Sequence, residues 1–348
     1  METLTKTELK YLKKELKRDP NSIEKEIVGA QWSEHCSYKS SKKYIKLLPR
    51  KGDQILVGPG YDAGVIDVGN GEVITIHIES HNHPSAVEPY GGAATGIGGI
   101  IRDIISMGTM PIALLNALRF GSISSPHYHS SIKSSMYENS ELYSHSKWLL
   151  KNVVRGIADY GNCIGIPTVG GEIEFDESFE NYCLVDVAAI GFGKKDNIIQ
   201  NVIQSNDIII LAGGLTGRDG IHGASFASKE LEQENRSAVQ IPDPFMEKLL
   251  IDVTREAIEN DVLKAVKDLG GGGLSCCLSE TSANLDKGFD IDISKVPLKY
   301  RNMAPTEIMI SESQERMLYI ISKNNFRKFS KILKKYEVPF AIIGKVKN

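Results

Sequence analysis

The sequence predicts a two-domain α+β protein, and three observations lead there. The chain has 348 residues, 41% hydrophobic and 24% charged, which suits two ordinary globular cores. Strand-like patterns of period 2 alternate with helical patterns of period 3.6 along most of its length. A connection over residues 197–207 separates a first set of these elements from a second, which starts with a new buried strand. The expected organisation is an N-terminal helical extension over 1–51, a first α+β domain over 52–196 and a second over 205–348.

The elements follow in order. Residues 5–18 read as a helix with Leu9, Leu12 and Leu16 on one stripe, stopped by Asp19-Pro20-Asn21. A second helix starts at Ser22 and runs towards Trp32, and Lys51-Gly52-Asp53 is a turn. Strands at 65–68 and 72–78 flank Gly69-Asn70-Gly71, a hairpin signal. In the second of them Ile74, Ile76 and Ile78 share one face, and Thr75, His77 and Glu79 the other. The apolar face is assigned to the core and the polar face to a cleft. A helix over 94–107 carries Ile97, Ile100, Ile101, Ile104 and Ile105 in one stripe, with Arg102, Asp103 and Ser106 opposite. Gly98 and Gly99 disfavour that helix by ~1 kcal/mol each, which implies close backbone packing or ligand approach.

A strand at 112–118, a helix at 142–160 and strands near Thr168 and at 184–192 complete the first unit. The second unit takes a strand at 207–211, a glycine-containing loop at 213–226 and a helix at 244–259. Strands at 262–266, 289–293, 307–310 and 317–321, a helix at 324–336 and a strand at 340–346 finish it. No internal repeat and no low-complexity tract is visible.

Bulk chemistry excludes several classes. A net charge of −3 gives no electrostatic case for nucleic acid or an anionic membrane. The lysines between Lys6 and Lys51 read as a solvated helical face plus linker. Five cysteines, an odd number without CxxC spacing, argue against a disulfide framework or zinc ribbon and fit a reducing cytoplasm. The polar N-terminus is no signal peptide, and no run approaches the ~20 apolar residues a membrane span needs. The expected location is the cytoplasm.

Five motifs carry chemistry. Gln31-Trp32-Ser33-Glu34-His35-Cys36-Ser37-Tyr38 holds a histidine and a tyrosine, which could equally be a structural histidine and a surface tyrosine. A Cys36–His35 nucleophile pair is weaker, since adjacent helical residues point apart. Glu79-Ser80-His81-Asn82-His83-Pro84 sets a carboxylate beside imidazoles. Zinc on His81 and His83 lacks further soft ligands. Magnesium on Glu79 with phosphates fits better, and leaves a histidine as acid or base near neutral pH. Arg102-Asp103, after a glycine run and opposite the isoleucine stripe, offers a guanidinium fork and a carboxylate. Asp268 before Gly270-Gly271-Gly272-Gly273 is an acid at a strand end followed by backbone able to cradle phosphate. Ser311-Glu312-Ser313-Gln314-Glu315-Arg316 is a polar break between apolar segments, which by itself reads equally well as a surface turn.

In this order the motifs resemble the synthetase subunits of phosphoribosylformylglycinamidine synthase, also called formylglycinamide ribonucleotide amidotransferase, within the aminoimidazole ribonucleotide synthase superfamily. The matching stretches are QWSEHCSYK, IESHNHPSAVEPYGGAATGIGGIIRDI, TGRDGIHGASFAS, DPFMEKLL, DLGGGGLS and PTEIMISESQERM, covering nearly the whole chain from about Glu26. The resemblance implies the superfamily's two-domain α+β fold, with a first domain that dimerises or pseudo-dimerises through its sheet. It also implies the purine-biosynthetic reaction. ATP phosphorylates the amide oxygen of formylglycinamide ribonucleotide, and ammonia made from glutamine by a separate glutaminase subunit displaces the phosphate. It implies Mg²⁺, and as partners a small accessory subunit and a second synthetase half or homodimer mate.

By motif, the resemblance makes His35 the active-site histidine, His81 the proton acceptor and Tyr38 an ATP contact. Glu79 becomes a ligand of one magnesium, and Asp103 and Asp268 ligands of another. Ser80, His81, Asn82, His83, Arg102, Gln240, Glu312, Ser313 and Gln314 become substrate contacts. His77 stands where the family usually carries a lysine that contacts ATP, so nucleotide affinity or its pH dependence is expected to differ. Pro242 stands where glycine is expected, stiffening the loop of Gln240. The chain is about half the usual subunit length. It is expected to be one half of a split subunit, or else a piece of a longer enzyme; the alternative role is a non-catalytic assembly half that keeps the fold.

Overall fold

The computed structural model describes residues 4–123, 136–221, 223 and 239–348. Part of the glycine-containing loop read at 213–226, namely residues 222 and 224–226, lies outside these.

Four helices come first: α1 (Lys6–Leu16), α2 (Ser22–Gln31), α3 (Glu34–Ser37) and α4 (Lys42–Ile45). Thr5 and Asn21 start the first two through reciprocal capping, each accepting from the N–H of a glutamate three residues on and donating its own N–H to that glutamate. The first sheet follows: β1 (Ile55–Val57), β2 (Gly64–Gly69), β3 (Glu72–Ser80), then α5 (Asn82–Val87), α6 (Pro89–Ser106), β4 (Met110–Phe120), α7 (Met136–Ile164), β5 (Thr168–Phe175) and β6 (Cys183–Lys194). Its strand order is β1-β2-β3-β6-β4-β5, antiparallel except for the parallel β4–β5 pair. The β2–β3 hairpin turns at Asn70 and Gly71, both at positive φ.

The second sheet comprises β7 (Ile208–Gly213), β8 (Ala265–Asp268), β9 (Gly288–Ile291), β10 (Arg316–Ile321) and β11 (Phe340–Lys347), in the order β8-β10-β7-β11-β9 and wholly antiparallel. Helices α8 (Pro244–Glu259), α9 (Gly273–Leu285), α10 (Pro305–Ile310) and α11 (Phe326–Lys335) accompany it. Ile209, Leu211, Leu318 and Ile320 face Leu274 and Leu278 of α9. Ile210, Ala212 and Tyr319 face the other way, into a core that takes in Leu250 of α8, Phe329 of α11 and the isoleucines of α6. One continuous apolar core therefore runs between the two sheets, and the expected two-domain α+β fold is what forms.

Three expectations are corrected. In β3 the isoleucine face is the outer one: Ile76 is 44% and Ile78 64% exposed, while Val73 and Thr75 are fully buried. The five isoleucines of α6 dock on the opposite face of the sheet, at about 1.5–3 kcal/mol per buried side chain, so alternation turns Val73, Thr75, His77 and Glu79 towards α6. Thr75 is satisfied there by a 2.8 Å bond from Thr109. Residues 307–310, read as a strand, belong instead to α10. Pro305 occupies its first turn and the Glu307 carboxylate accepts the Ala304 N–H at 2.7 Å, a helix start that outweighs the short apolar run. Helix α6 also begins five residues earlier than expected, because Pro89 leads it and the Glu88 side chain accepts the Gly91 N–H.

Candidate active site

The end of β3 enters the site under control of β6. Glu79 pairs with Val187 and Ser80 with Asp186 in register. Beyond the strand the His81 N–H reaches Val185 O at 2.9 Å, and Asn82 Oδ1 accepts the Val185 N–H at 2.7 Å. The chain then folds back as α5 and α6. His81 Nδ1 lies 2.5 Å from Gly92 O. A carbonyl can only accept, so Nδ1 carries the hydrogen and Nε2 the lone pair. Burial lowers the His81 pKa to about 4, and the ring is neutral at pH 7. His83 points elsewhere, its Nδ1 2.7 Å from Tyr182 Oη.

Four acids converge from four parts of the chain: Asp62 before β2, Glu79 on β3, Asp103 on α6 and Asp268 ending β8. Ligand atoms of His77, Glu79 and Asp103 lie within 4.8 Å of one another, as do those of Asp62, Asp103 and Asp268. Asp103 belongs to both trios. Burial, then the Asp268 and Glu79 charges, push the Asp103 carboxyl well above its usual range. Burial and Asp268 likewise raise Asp62 to about 6, against the pull of Lys267. The half-exposed Glu79 behaves oppositely: its surroundings raise it, but the imidazoles of His77, His35 and His81 outweigh them and hold it low. Lys267 Nζ contacts Asp62, lies 3.1 Å from Glu280 and is 3.9 Å from Asp268.

That single ammonium does not balance the acids. Burial is the largest cause of both raised carboxyl values, and the neighbouring carboxylates add to it. An oxygen-rich donor set of this kind suits a hard dication such as Mg²⁺. A buried ring nitrogen without a hydrogen-bond partner among the described residues, His77 Nε2, sits 3.3 Å from Glu79 Oε1 and 3.4 Å from Asp103 Oδ2.

The glycine run after Asp268 forms the neighbouring wall. Gly272 and Gly273, at φ +72° and +57°, lead into α9. Gly272 N–H donates to Glu312 Oε1 at 2.9 Å. The N-terminal motif folds over this loop. His35 Nε2 would lie 3.1 Å from a Cβ at Gly271, and Gln31 ties α2 to α9 through Ser279 Oγ at 2.7 Å. The protein walls around His35 lower its pKa although its ring is open to solvent. Tyr38, exposed and in the left-handed region, has its phenol raised by its surroundings and then by the Glu79 charge, so it stands at the same rim.

The remaining expected contacts are placed differently. Arg102 is fully buried. Its Nη1 lies 3.1 Å from Glu247 Oε2 and 3.8 Å from Glu315 Oε1, and its Nη2 donates to Gln314 Oε1 at 2.5 Å. The break at 311–316 is no surface turn: all six residues are buried. Arg316 pins it through Ser313 O, Thr216 Oγ1 and Ser311 O. Gln240 donates to Glu312 Oε2 at 2.7 Å, and Ser313 Oγ donates to Asp219 and accepts from Gly217 N–H. Arg102 is thus held by Gln314, Gln314 by Glu312 O, Gln240 by Glu312, and Ser313 by Asp219 and Gly217, whereas His35, Tyr38, His77, Glu79, Ser80, His81, Asp103 and Asp268 gather around the cleft.

Sequence reasoning missed Asp62, Lys267 and Glu247. Asp62 stands between a Gly60 turn and a strand in Gly-Tyr-Asp-Ala-Gly, a pattern that could have flagged a strand-entry acid. Lys267 and Glu247 carry no local signal, since their partners lie far away in sequence.

Comparison with known proteins agrees with this architecture. Residues 60–192 match the AIR synthase related protein, N-terminal domain, and residues 204–348 its C-terminal domain; residues 3–39 match the formylglycinamide ribonucleotide amidotransferase linker domain. The chain is 50% identical over 342 residues to phosphoribosylformylglycinamidine synthase subunit PurL of Thermococcus sibiricus, covering 97% of this chain and 45% of that protein. A Thermotoga maritima PurL complexed with FGAR superposes with a TM-score of 0.84 at 38% identity, over 98% of this chain and 52% of that one. The same protein complexed with ATP gives 0.78 at 35% identity, over 98% and 50%. The chain spans about half the length of the curated relatives it matches.

Proposed function

Because the chain belongs to the family of AIR synthase related proteins, carrying both of its domains, we propose that it supplies the first half of a phosphoribosylformylglycinamidine synthase. In this reading it takes part in the ATP-dependent conversion of formylglycinamide ribonucleotide to the amidine in the cytoplasm. The observation that carries the reading is the convergence of Glu79, Asp103 and Asp268, from both domains, at a glycine-rich wall.

An amide oxygen is a poor leaving group until it is phosphorylated, so the site has to bring a nucleotide phosphate to it and then admit ammonia. Glu79, Asp103 and Asp268 would hold Mg²⁺, with Asp62 beside them, and the glycine loop would let phosphate approach at Gly270 and Gly271, since the Gly272 and Gly273 N–H groups are bonded to Glu312 and Gly270 O. Bound there, Mg²⁺ supplies charge neutralisation to the triphosphate. Tyr38 and His77 flank the nucleotide. Ser80, Asn82 and His83 turn the chain so that His81 Nε2, neutral and with its lone pair free, accepts a proton from the nitrogen being added. His35 covers the opposite side of the cleft. Arg102, Gln240, Glu312, Ser313 and Gln314 brace the substrate side, and direct contact by their polar groups requires their present hydrogen bonds to be exchanged.

A second synthetase half, or a second copy of this chain, covers the outer aliphatic face of the first sheet. A glutaminase subunit and a small accessory subunit complete the supply of ammonia. The test is reconstitution. The purified chain mixed with a second half should form the amidine from formylglycinamide ribonucleotide, ATP and ammonia, and Glu79→Ala or His81→Ala should abolish it. A reconstituted pair without turnover overturns the proposal.

A further inference from the structure

The reading above leaves His77 only beside the nucleotide, but its position carries more. We infer that His77 Nε2 is itself a metal ligand, completing with Glu79 and Asp103 a mixed nitrogen–oxygen site that prefers a first-row transition dication over Mg²⁺. This deepens the proposed function and rests on the cleft being a divalent-cation site.

Three observations support it. Among the described residues His77 Nε2 is buried without a well-aligned hydrogen-bond partner, and it faces one oxygen of each carboxylate, at 3.3 and 3.4 Å. Donors bound at about 2.1 Å to one ion lie about 3.0 Å apart at neighbouring octahedral corners and about 3.4 Å apart at tetrahedral ones. Separations of 3.3 and 3.4 Å fit donors that share an ion. The Asp103 carboxylate is buried, and its Oδ2 lies against this imidazole. Charge supports the same conclusion. A lysine at position 77 would bring a fixed positive charge to the two carboxylates and no lone pair. An imidazole nitrogen can offer a lone pair and leave both negative charges for a dication. Imidazole binds transition ions well and contributes little to Mg²⁺, which keeps oxygen ligands.

The test uses the whole chain and metal alone. Mn²⁺ binding is followed by electron paramagnetic resonance, with Mg²⁺ as competitor, and a pulsed experiment reads nitrogen coupling to the bound Mn²⁺. The wild type should show imidazole nitrogen coupling and need about tenfold more Mg²⁺ for displacement than His77→Lys or His77→Gln. Both variants should lose the coupling while circular dichroism reports their fold intact. Equal Mg²⁺ competition and no nitrogen coupling in the wild type, with Mn²⁺ still lost in Asp103→Asn, overturns the role of His77 but leaves the cleft as a cation site. Mn²⁺ binding absent from the wild type, or unchanged in Asp103→Asn, overturns the role and the cation site together.

Discussion

Arg102 and Asp103 are neighbours on α6, yet each looks into a different group of acids. Arg102 meets Glu247, Glu315 and the Gln314 amide in a fully buried network, joined by a 2.8 Å bond from Tyr160 Oη to Glu315. Asp103 meets Asp62, Asp268, Glu79 and one imidazole at the cleft, where Lys267 reaches only part of the group. The first group carries its own cation at its centre. The second has no cation at its centre among the described residues. Two clusters of similar composition therefore differ in what completes them: a side chain in one case and, in the reading proposed above, a dication in the other.

Removing the guanidinium is the strongest way to break this contrast. Arg102→Ala should destabilise the chain by about 3–5 kcal/mol, because two carboxylates are left buried and unpaired. Denaturant unfolding measures it, and Glu247→Gln in the same chain should recover part of the loss. One residue along, Asp103→Asn should leave the metal-free protein as stable as before, or more so. It should remove the stabilisation of about 2.7 kcal/mol that a hundredfold excess of dication over its dissociation constant gives the wild type, read from unfolding curves with and without metal.

Gly98→Ala probes the buried cluster from its edge. A Cβ there would stand 2.3 Å from Tyr160 Oη, so the tyrosine must leave Glu315. A loss of about 2 kcal/mol is expected, with metal stabilisation intact.

The smallest effect is the dependence on pH. Asp62, at about 6 in the fold, holds its proton more tightly folded than unfolded. Its contribution is therefore complete below the ordinary carboxylate range and lost as pH rises through 6. Glu315 and Glu247, raised by burial to about 7 and about 8, extend the same decline to higher pH. Saturating dication should flatten the portion near pH 6 by about 1 kcal/mol and leave the upper portion unchanged. Unfolding free energies across pH 4–9 with and without metal would show it. A uniform response to metal at every pH would erase the distinction between the clusters.

Much of this was legible in the sequence, for local reasons. The hairpin at Gly69-Asn70-Gly71, the isoleucine stripe of α6 and helix α8 at Pro244–Glu259 announce themselves by short-range pattern. So do the acid-bearing segments around Glu79, Asp103 and Asp268. What failed needed tertiary information. The face of β3 that turns inward was decided by α6 docking, since Ile76 and Ile78 are as apolar as Val73 and alternation alone does not choose between faces. Residues 307–310 looked like strand until the helix start at Ala304-Pro305 was weighed. Arg102 looked like a ligand fork because its carboxylate partners lie 145 and 213 positions away along the chain. Asp62 and Lys267 were invisible for the same reason, a separation of 205 residues.

The outward turn of Ile76 and Ile78 also shapes how the chain behaves in a test tube. Hydrocarbon continues from these residues to Phe192, Val169 and Ile173 of the same sheet, a surface that water tolerates poorly. Handled alone, the molecule should cluster as its concentration rises, with light scattering climbing well before any unfolding. Its colloidal behaviour then depends less on the fold beneath than on whatever comes to rest against that sheet.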